Sequence, residues 1–406
     1  MSISEEILSK SRNDYQRDNF DSFLKKVGFV YNVPSIHVSG TNGKGSTCNY
    51  LNNIYIASGR KVGLFISPMN YSPCDMIKIN NQDIDIKEFE SIYLENKKYI
   101  EKFDLSSFEI ITFIALTYFK KENVDIAIIE CGMGGEIDAT NIFTPILSVI
   151  TSISVEHTGF LGVSLSEIAL HKAGIIKEKI PTLIGEVKGD ALDVVVNKAK
   201  YLKSKIYSVN RYFHEELLSD GYHFGYLPYS NLKIKSHALT SVYDASIAIE
   251  ATNILQSEFP VNEDAIKKGL DTDPLIGRLE IHSGNPTIII DGAHNPEAII
   301  KLRNDIENLQ QNKPIHVVFA CFRDKNITVM LPEIALLGDL HLTTFDHPRA
   351  REKSDYFLYL EDYPFNGDHT SLIKELKEKY PEDIILVTGS LAFASLVHKE
   401  LIDGKI

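Results

Sequence analysis

The 406-residue sequence predicts an α/β protein with a large domain built on a mostly parallel sheet and a smaller, Rossmann-like C-terminal domain. Continuous apolar runs, VDIAIIE at 124–130 and PILSVITSIS at 145–154, are typical of buried parallel strands. These runs alternate with helical patterns, which indicates an α/β order. The alternation restarts after DTDPLIGRLEIHSGNP at 271–286, a stretch of Pro, Gly and charged residues. We therefore place the domains at 1–276 and 277–406.

Hydrophobic periodicity and helix start signals define the elements of the larger domain. Their predicted order is strand 36–39, helix 46–58, strand 61–67, helix 107–123, strand 124–130, strand 145–154, helix 164–177 and helix 241–256. Between about 205 and 237 the sequence alternates and is rich in Tyr and turn residues, which predicts an antiparallel flap. In the smaller domain the order strand, loop, helix occurs in PTIIIDGAHNPEAIIKLRNDIENL and again in PIHVVFACFRDKNITVMLPEI.

Composition and charge argue against several classes of protein. Lys and Arg number 42 and Asp and Glu 55, so the formal charge of −13 argues against non-specific nucleic-acid binding. The four cysteines form no C-x-x-C pair and indicate neither a zinc site nor a disulfide framework. The polar N-terminal segment lacks the apolar core of a signal peptide. The sequence contains no run of ~18 apolar residues, so we expect no membrane span. We expect a cytoplasmic protein with no nucleic-acid or membrane partner.

The segment PSIHVSGTNGKGSTCNYL, residues 34–51, predicts a phosphate-binding loop between a strand and a helix. It departs from the G-x-x-x-x-G-K-[ST] pattern, because Val38 stands where the first glycine belongs. Its glycines let backbone N–H groups point at a phosphate, and the following helix adds its positive N-terminal end. Lys44 would reach the outer phosphates, and Ser46 or Thr47 could give a hydroxyl to Mg²⁺. The predicted nucleotide contacts are Gly40, Thr41, Asn42, Gly43, Lys44, Gly45, Ser46 and Thr47.

Polar residues at two predicted strand ends and on one helix are further candidates. Glu130 ends an apolar strand, where parallel sheets bind ligands, and its carboxylate oxygens suit Mg²⁺. His157 follows the next strand end, and Lys172 lies on the predicted helix at 164–177. A desolvated lysine can take unusual roles. The ordinary alternatives are a solvated glutamate, a structural histidine, a surface lysine and, for the loop, a glycine turn with an incidental lysine.

In the smaller domain, Asp291, His294 and Asn295 follow an apolar strand in IIIDGAHNPEA. Asp291 can hold a ribose hydroxyl, and His294 can touch a phosphate. Asn295 before Pro296 is also a favoured helix cap. Arg278, in the domain junction, is a cation that could reach a nucleotide, although alone it is an ordinary surface arginine.

Nine motifs in a fixed order give the chain a family resemblance. They are HVSGTNGKGST, SFEIITFIALTYF, ECGMGGEIDATN, EHTGFLGVSLSEIALHKAGIIK, GRLE, DGAHNP, DKNITVML, HPRA and VTGSL. From about residue 34 to 397 the chain resembles the folylpolyglutamate synthase and dihydrofolate synthase branch of the Mur ligase superfamily. That family writes its phosphate loop G-T-N-G-K-G-S, as this chain does, and this accounts for the departure from the standard pattern.

The resemblance implies a P-loop-type ATPase domain and an ATP-dependent ligase. ATP would phosphorylate a folate carboxylate, and the amino group of L-glutamate would then attack the acyl phosphate. Bifunctional members also accept dihydropteroate. Phosphoryl transfer needs positioning and charge neutralisation, which the loop, Lys44 and Mg²⁺ would supply. The implied cofactors are ATP, two Mg²⁺ ions and a carbamylated lysine at Lys172, and we expect the protein to act as a monomer.

The motifs also carry over roles for individual residues. Beyond the phosphate loop, the implied nucleotide contacts are Arg278, Asp291 and His294. The implied metal ligands are Ser67, Glu130, His157 and Lys172. The implied catalytic residues are Lys44, Lys172 and His294. Asp138, in DATN, matches a position associated with the pterin in bifunctional members.

Several positions depart from the family pattern. The family writes S-P-H-L and E-R-I where this chain has Ser67-Pro68-Met69-Asn70 and Asp75-Met76-Ile77. Glu136 replaces an arginine, and Thr240-Ser241 replaces H-Q in a helix motif. A change from arginine to glutamate disfavours a polyanionic substrate. Two alternatives therefore stay open: a paralogous ligase that joins another carboxylate and amino acid, and a nucleotide-binding protein without ligase activity.

Overall fold

The structure is a computed structural model that describes residues 2–11, 17–156, 158–209, 212–309 and 313–406. Its strands, numbered along the chain, are β1 Ser35–Ser39, β2 Val62–Phe65, β3 Ile77–Ile79, β4 Gln82–Asp83, β5 Ile126–Glu130, β6 Leu147–Ser152, β7 Thr182–Glu186, β8 Ile206–Ser208, β9 Tyr212–Leu218, β10 Gly221–Tyr226, β11 Tyr229–Ile234, β12 Glu280–His282, β13 Thr287–Ile290, β14 Ile315–Phe319, β15 Asp339–Thr343, β16 Phe365–Asn366 and β17 Ile384–Thr388.

The helices are α1 Ile3–Leu8, α2 Arg17–Val27, α3 Lys44–Ala57, α4 Ile86–Lys102, α5 Ser107–Lys121, α6 Thr158–Leu161, α7 Leu165–Lys172, α8 Gly189–Tyr201, α9 Leu239–Ile254, α10 Glu263–Leu270, α11 Pro296–Asn308, α12 Ile327–Ala335, α13 His369–Lys379 and α14 Leu391–Ile402. Strands and helices alternate along most of the chain, and the predicted α/β fold class is confirmed.

The chain divides into two compact units. The first unit comprises Met1–Glu216, His223–Ile234 and Ser241–Thr272. The second comprises Leu217–Tyr222, Lys235–Thr240 and Asp273–Ile406. The division of the chain into domains at 1–276 and 277–406 stays a prediction.

The first unit is built on an eight-stranded sheet with the order β4-β3-β2-β5-β1-β6-β7-β8. β1 lies between β5 and β6 and runs parallel to both. β2, β7 and β8 continue the parallel part, whereas β3 and β4 run antiparallel. The chain passes from β5 across β1 to β6, so the carboxyl ends of these three strands meet at one edge. Open parallel sheets bind their ligands at such an edge.

The central strands of this sheet are buried on both faces, which explains their continuous apolar sequences. Every residue of β1, β5 and β6 is buried. These strands also bury polar side chains, among them His37 in β1 and Glu130, a carboxylate at the last position of β5. A buried carboxylate needs polar or charged partners nearby, and this singles out the end of β5 as a polar site.

Two elements differ from their predicted form. In the segment predicted as an antiparallel flap, β8 pairs parallel with β7, and the three-stranded sheet β11-β10-β9 is separate. The helix predicted at 164–177 ends earlier, because α7 stops at Lys172 and a 3₁₀ turn at Ala173–Ile175 follows. Lys172 therefore holds the last helical position, where the helix dipole favours a cation.

The second unit carries a six-stranded sheet with the order β12-β13-β17-β14-β15-β16. β12 is an antiparallel edge strand, and the other five strands run parallel. α11 follows β13 and begins at Pro296, with Asn295 as its N-cap. The Asn295 side chain accepts a hydrogen bond from the Ala298 N–H at 2.9 Å, so the predicted cap is confirmed.

Among the described residues, no helix combines the length and the apolar character that crossing a bilayer requires. The four cysteines are free and buried. The cytoplasmic location stays a prediction.

Helix α3, which follows the glycine loop, packs closely against α10. A Cβ added at Gly269 in α10 would lie 2.4 Å from Ile54 Cα and 2.5 Å from Ile54 N. Both atoms belong to the backbone and cannot rotate away. The overpacking cost of about 1–3 kcal/mol exceeds the ~1 kcal/mol that Ala gains over Gly in a helix. We therefore expect Gly269→Ala to lower the free energy of unfolding, measured by denaturant titration.

Lys268→Ala, on the exposed side of the same helix, is the matched control. It should change the free energy of unfolding by less than about 0.5 kcal/mol. A Gly269→Ala protein as stable as the parent would show that the two helices do not approach each other as described.

Candidate active site

The loop that follows β1 is held against the end of β6. The Thr41 N–H donates to the Ser152 carbonyl oxygen at 2.8 Å, and the Asn42 N–H donates to Ser152 Oγ at 2.9 Å. Thr151 Oγ1 donates to the Asn42 carbonyl oxygen at 2.7 Å. A Cβ at Gly40 would lie 2.0 Å from Thr151 Oγ1, so glycine is required for this close approach. The neighbouring strand therefore sets the conformation of the loop.

The loop turns into α3 at Gly43. Gly43 is the N-cap residue and has a left-handed φ of 83°. Because α3 begins at Lys44, the N–H groups of its first turn have no partners within the helix. A glycine-rich loop followed by a helix N-terminus is an arrangement that binds phosphate groups. Asp244 of α9 lies against this turn, since a Cβ at Gly43 would be 2.2 Å from Asp244 Oδ1.

The two hydroxyls proposed for Mg²⁺ differ in exposure. Ser46 is half-buried. Thr47 is fully buried, and its Oγ1 has no hydrogen-bond partner among the residues that the structure describes. Successive residues lie about 100° apart around a helix of ~3.6 residues per turn, so the two hydroxyls leave α3 in different directions. Ser46 is the better candidate for a metal ligand.

Two lysines converge on one carbonyl oxygen. Lys44 Nζ donates to the Gly40 oxygen at 3.0 Å and to the Thr41 oxygen at 3.1 Å. Lys172 Nζ, at the end of α7, donates to the same Gly40 oxygen at 2.8 Å. Lys172 Nζ also contacts Glu156 Oε1 at 3.0 Å. The structure thus brings the two lysines that the motifs single out together at the glycine loop.

Lys172 is not a surface residue, because its side chain is 1% exposed. Burial lowers the pKa of the Lys172 ammonium, the Glu156 carboxylate opposes that change, and Lys44 adds to it. A buried ammonium is stable only beside a compensating anion, which Glu156 provides. The alternative of an ordinary surface lysine is therefore wrong at this position.

A second polar pair lies beyond the ends of β5 and β2. The Glu130 side chain is buried, with 3% of its surface exposed. Its Oε2 accepts a hydrogen bond from the Ser67 N–H at 3.0 Å. Two of the four predicted metal ligands are therefore adjacent. Carboxylate and hydroxyl oxygens are the donors that Mg²⁺ prefers, so the residues at this position fit the ion.

Cys48 of α3 lies within electrostatic range of both Glu130 and Lys44. Burial raises the pKa of the Cys48 thiol well above its usual value, and the Glu130 carboxylate raises it further, whereas Lys44 lowers it. The thiolate is the form that binds metals, and burial disfavours this form at Cys48.

His157, the third strand-end ligand predicted, lies outside the described residues. Asp138 is described, and its carboxylate accepts the Met133 N–H and the Thr140 N–H, both at 2.9 Å. Burial raises the pKa of Asp138, and these hydrogen bonds oppose the change. In the structure Asp138 orders its own loop, and its contact with a pterin stays a prediction.

The segments that depart from the family pattern are ordered by local contacts. The Asp75 carboxylate accepts the backbone N–H groups of Asn70, Tyr71 and Ser72 at 3.1, 2.7 and 2.9 Å. This aspartate therefore sets the shape of the loop that carries the altered residues. Glu136 is half exposed at its side chain, 52%, and adds a negative charge where the family has a positive one.

In the second unit, Asp291 follows β13 and accepts two backbone N–H groups, at 2.9 and 2.8 Å. Burial raises the pKa of Asp291, and the Arg278 guanidinium opposes this change. His294 Nδ1 donates to the Gly292 carbonyl oxygen at 2.8 Å. A phosphate would therefore meet the other ring nitrogen, Nε2. The Leu279 and Gly292 N–H groups tie together the segments that carry Arg278, Asp291 and His294, and the contacts of these residues with a nucleotide stay a prediction.

The candidate active site also contains two carboxylates, Glu156 and Asp244, that the sequence analysis did not identify. Glu156 precedes His157 at the end of a predicted strand, so its position was a usable signal. Asp244 lies in TSVYDA on α9, far along the chain from the loop that it contacts. No local pattern connects the two segments, and only the fold brings them together.

Comparison with known domains defines the class of protein. Residues 38–220 match the Mur ligase middle domain, and residues 277–391 match the Mur ligase, glutamate ligase domain. The glycine loop, Glu130 and Lys172 all lie within the first match, and Arg278, Asp291 and His294 lie within the second. The chain is thus built from the two domains of a Mur ligase.

Relatives that match nearly the whole chain narrow the class of Mur ligases to one family. The chain is 32% identical over 389 residues to dihydrofolate synthase/folylpolyglutamate synthase of Bacillus subtilis, with 91% of this chain and 90% of the relative covered. It is 33% identical over 388 residues to folylpolyglutamate synthase of Lacticaseibacillus casei, with the same coverage of 91% and 90%. The chain therefore belongs to the dihydrofolate synthase/folylpolyglutamate synthase family, and the resemblance read from the motifs is confirmed.

Solved structures share the fold. The apo form of L. casei FPGS superposes with a TM-score of 0.86 at 28% identity, covering 98% of each chain. Escherichia coli FolC in complex with DHPP and ADP superposes with a TM-score of 0.87 at 27% identity, covering 99% of this chain and 96% of that one. The two-sheet α/β architecture is therefore that of the family.

The collision at Gly43 gives a test of the phosphate loop. In Gly43→Ala, the new Cβ would combine a strained φ, which costs about 1–2 kcal/mol, with the 2.2 Å contact to Asp244 Oδ1. The turn must shift to relieve the contact, and the N–H groups at the start of α3 move with it. We expect nucleotide affinity, measured by calorimetry with ADP, to fall by more than about tenfold.

Gly59→Ala separates strain from collision. Gly59 has a similar φ of 86°, but a Cβ there meets no atom within 4 Å. Gly59→Ala should lose stability from the strained φ while keeping the parent's nucleotide affinity. Equal affinities for Gly43→Ala and the parent would contradict the assignment of this turn to phosphate binding.

Proposed function

We propose that the chain is an ATP-dependent ligase that adds L-glutamate to a folate through an acyl phosphate. The convergence of Lys44 and Lys172 on the Gly40 carbonyl, beside the buried Glu130 and Ser67 pair, is the observation that carries the proposal. The names of the relatives, and the ADP bound in the E. coli structure, support the same reaction. Dihydropteroate is the second acceptor that these names suggest.

The proposed reaction has two steps. A carboxylate oxygen of the folate attacks the terminal phosphorus of ATP, the bond to the bridging oxygen breaks, and ADP leaves. The amino nitrogen of L-glutamate then attacks the carbonyl carbon of the acyl phosphate. A C–N bond forms, the C–O bond to phosphate breaks, and the amine loses a proton. Phosphorylation is needed because an ionised carboxylate has no good leaving group.

Lys44 and Lys172 would have different roles at the glycine loop. Lys44 donates to two neutral carbonyl oxygens of its own loop, and a phosphate oxygen is a stronger, charged acceptor. Lys44 would therefore exchange these carbonyls for the terminal phosphates. While it is unmodified, the Lys172 ammonium donates to the Gly40 oxygen and holds the loop in shape. Preorganised positive charge such as that of Lys44 stabilises the transferring phosphoryl group.

Magnesium fits the oxygen ligands at the strand ends. Bound Mg²⁺ would neutralise phosphate charge during transfer. Ser46, Ser67 and Glu130 would hold it, and His157 remains a predicted ligand. These residues also fix where the terminal phosphate lies relative to Lys44.

We further propose that Lys172 carries a carbamate in the active protein. Burial lowers the pKa of Lys172, and this raises the fraction of neutral amine, the form that attacks CO₂. A C–N bond forms, a proton is released, and the cation becomes an anion. That anion would lie close to Glu156, and two like charges in a buried site disfavour each other. The two carboxylate groups would offer oxygen ligands to a second Mg²⁺, which would offset their charge.

In the second unit we propose that Asp291 holds a ribose hydroxyl of the nucleotide and that Arg278 and His294 contact phosphate. The Gly277 turn that carries Arg278 is tied to Gly292, because the Gly292 N–H donates to the Gly277 oxygen at 2.8 Å. The proposed catalytic residues are Lys44, Lys172 and His294. We also propose that the protein acts as a monomer.

Product analysis tests the proposal directly. The protein is incubated with ATP, Mg²⁺, L-glutamate and a panel of acceptors: dihydropteroate, reduced folates and Mur-type precursors. We expect a folate product heavier by one glutamyl residue, detected by mass spectrometry, with one ADP released for each bond formed. Omission of L-glutamate is the control and should abolish the product.

The other outcomes have distinct meanings. Turnover with a non-folate carboxylate alone would contradict the proposed substrate and favour a paralogous ligase. Nucleotide binding without any acceptor-dependent release of ADP would contradict the proposed activity and favour a nucleotide-binding protein.

A further inference from the structure

A cluster of three side chains of metal-binding type lies in the second unit, where Glu280 pairs across the sheet with Ile290, the residue before Asp291. Glu280 and His282 belong to the edge strand β12, and His398 belongs to the last helix, α14. One ligand atom from each of these residues lies within 4.8 Å of the other two. The first two residues and the third are far apart in the chain, so the sequence gives no spacing signal of the kind that marks a zinc motif.

The alternation of a β-strand explains how the cluster forms. Residues two apart in a strand share a face, so Glu280 and His282 lie on one side of β12. Ile281, between them, packs against the apolar cluster on the other side. α14 covers the first side, since Val397, next to His398, packs with residues of β13 and β17. The fold therefore places three potential metal ligands at the face of edge strand β12 that α14 covers.

The geometry of the cluster is that of ligands around a common centre. His398 Nδ1 lies 2.8 Å from Glu280 Oε1, and His282 Nε2 lies 3.9 Å from the same oxygen. Both nitrogens are buried, yet neither makes a hydrogen bond of acceptable direction within the described part of the chain. Buried polar atoms without partners are costly. Nitrogens that aim at a point between ligands, and not at a neighbouring ligand, are expected around a cation.

We propose that Glu280, His282 and His398 bind a divalent transition-metal ion of the zinc type. Two imidazole nitrogens and one carboxylate oxygen match the donors that Zn²⁺ takes, with a fourth position left for water. Mg²⁺ and Ca²⁺ prefer oxygen ligands alone, so this site differs in metal preference from the one at Glu130.

The proposed site also has an anchored ligand. The second carboxylate oxygen of Glu280, Oε2, accepts the Gly277 N–H at 2.8 Å. This bond fixes the orientation of the carboxylate, as outer contacts of metal ligands commonly do. Bound metal would therefore join β12, α14 and the turn that carries Arg278, and would stabilise the second unit.

The test uses the full-length protein, freed of metal with a chelator and kept without nucleotide and Mg²⁺. Equilibrium dialysis against Zn²⁺, followed by elemental analysis, measures bound zinc, and Co²⁺ gives a visible spectrum for four-coordinate sites. We expect one zinc bound with these ligands and a rise in melting temperature. His398→Gln and His282→Gln should weaken binding by more than about tenfold, since even residues that only hydrogen-bond to a metal ligand are worth ~10–100-fold in affinity.

Two control variants locate the ion. Glu130→Gln alters the predicted Mg²⁺ site and should leave this zinc binding unchanged. His369→Gln removes another histidine–carboxylate pair of the second unit, in which His369 Nε2 lies 3.0 Å from Glu400 Oε2, and should also leave it unchanged. Absence of zinc binding by the parent protein would overturn the proposal, and so would zinc binding that survives in His398→Gln.

Discussion

The carbonyl oxygen of Gly40 is the point on which the candidate site depends. It accepts hydrogen bonds from Lys44 and from Lys172. A single neutral oxygen thus holds two ammonium groups, and one of them, Lys172, also contacts the Glu156 carboxylate. Like charges held this close store electrostatic repulsion, and a triphosphate would relieve it. The loop is in this sense prepared for an anion.

The parallel sheet explains why these groups meet. The glycine loop follows β1, and Glu130 is the last residue of β5. Thr151 and Ser152, at the end of β6, hydrogen-bond to the loop and hold it in place. All three strands are buried along their whole length, and the candidate site residues lie at or beyond their carboxyl ends. The second unit repeats the principle on a smaller sheet, where Asp291 follows β13. In both units the candidate site residues lie where the strands end.

Much of this could be predicted from the sequence because the signals are local. Glycines, a lysine and hydroxyls in eight consecutive positions predicted the loop, and an apolar run ending in Glu130 predicted a carboxylate at a strand end. Glu156, Asp244 and the cluster around Glu280 were missed, because each depends on contacts between distant segments. The end of α7 at Lys172 was also missed, since the apolar spacing continues into the 3₁₀ turn that follows.

The most direct test of the central claim is the comparison of turnover and nucleotide affinity in Lys172→Ala. The account predicts that acceptor-dependent release of ADP falls by more than about 100-fold, that ADP still binds because Lys44 and the loop remain, and that acetate or bicarbonate partly restores turnover. Full turnover in this variant would contradict the account, and so would a loss of ADP binding as large as the loss of turnover.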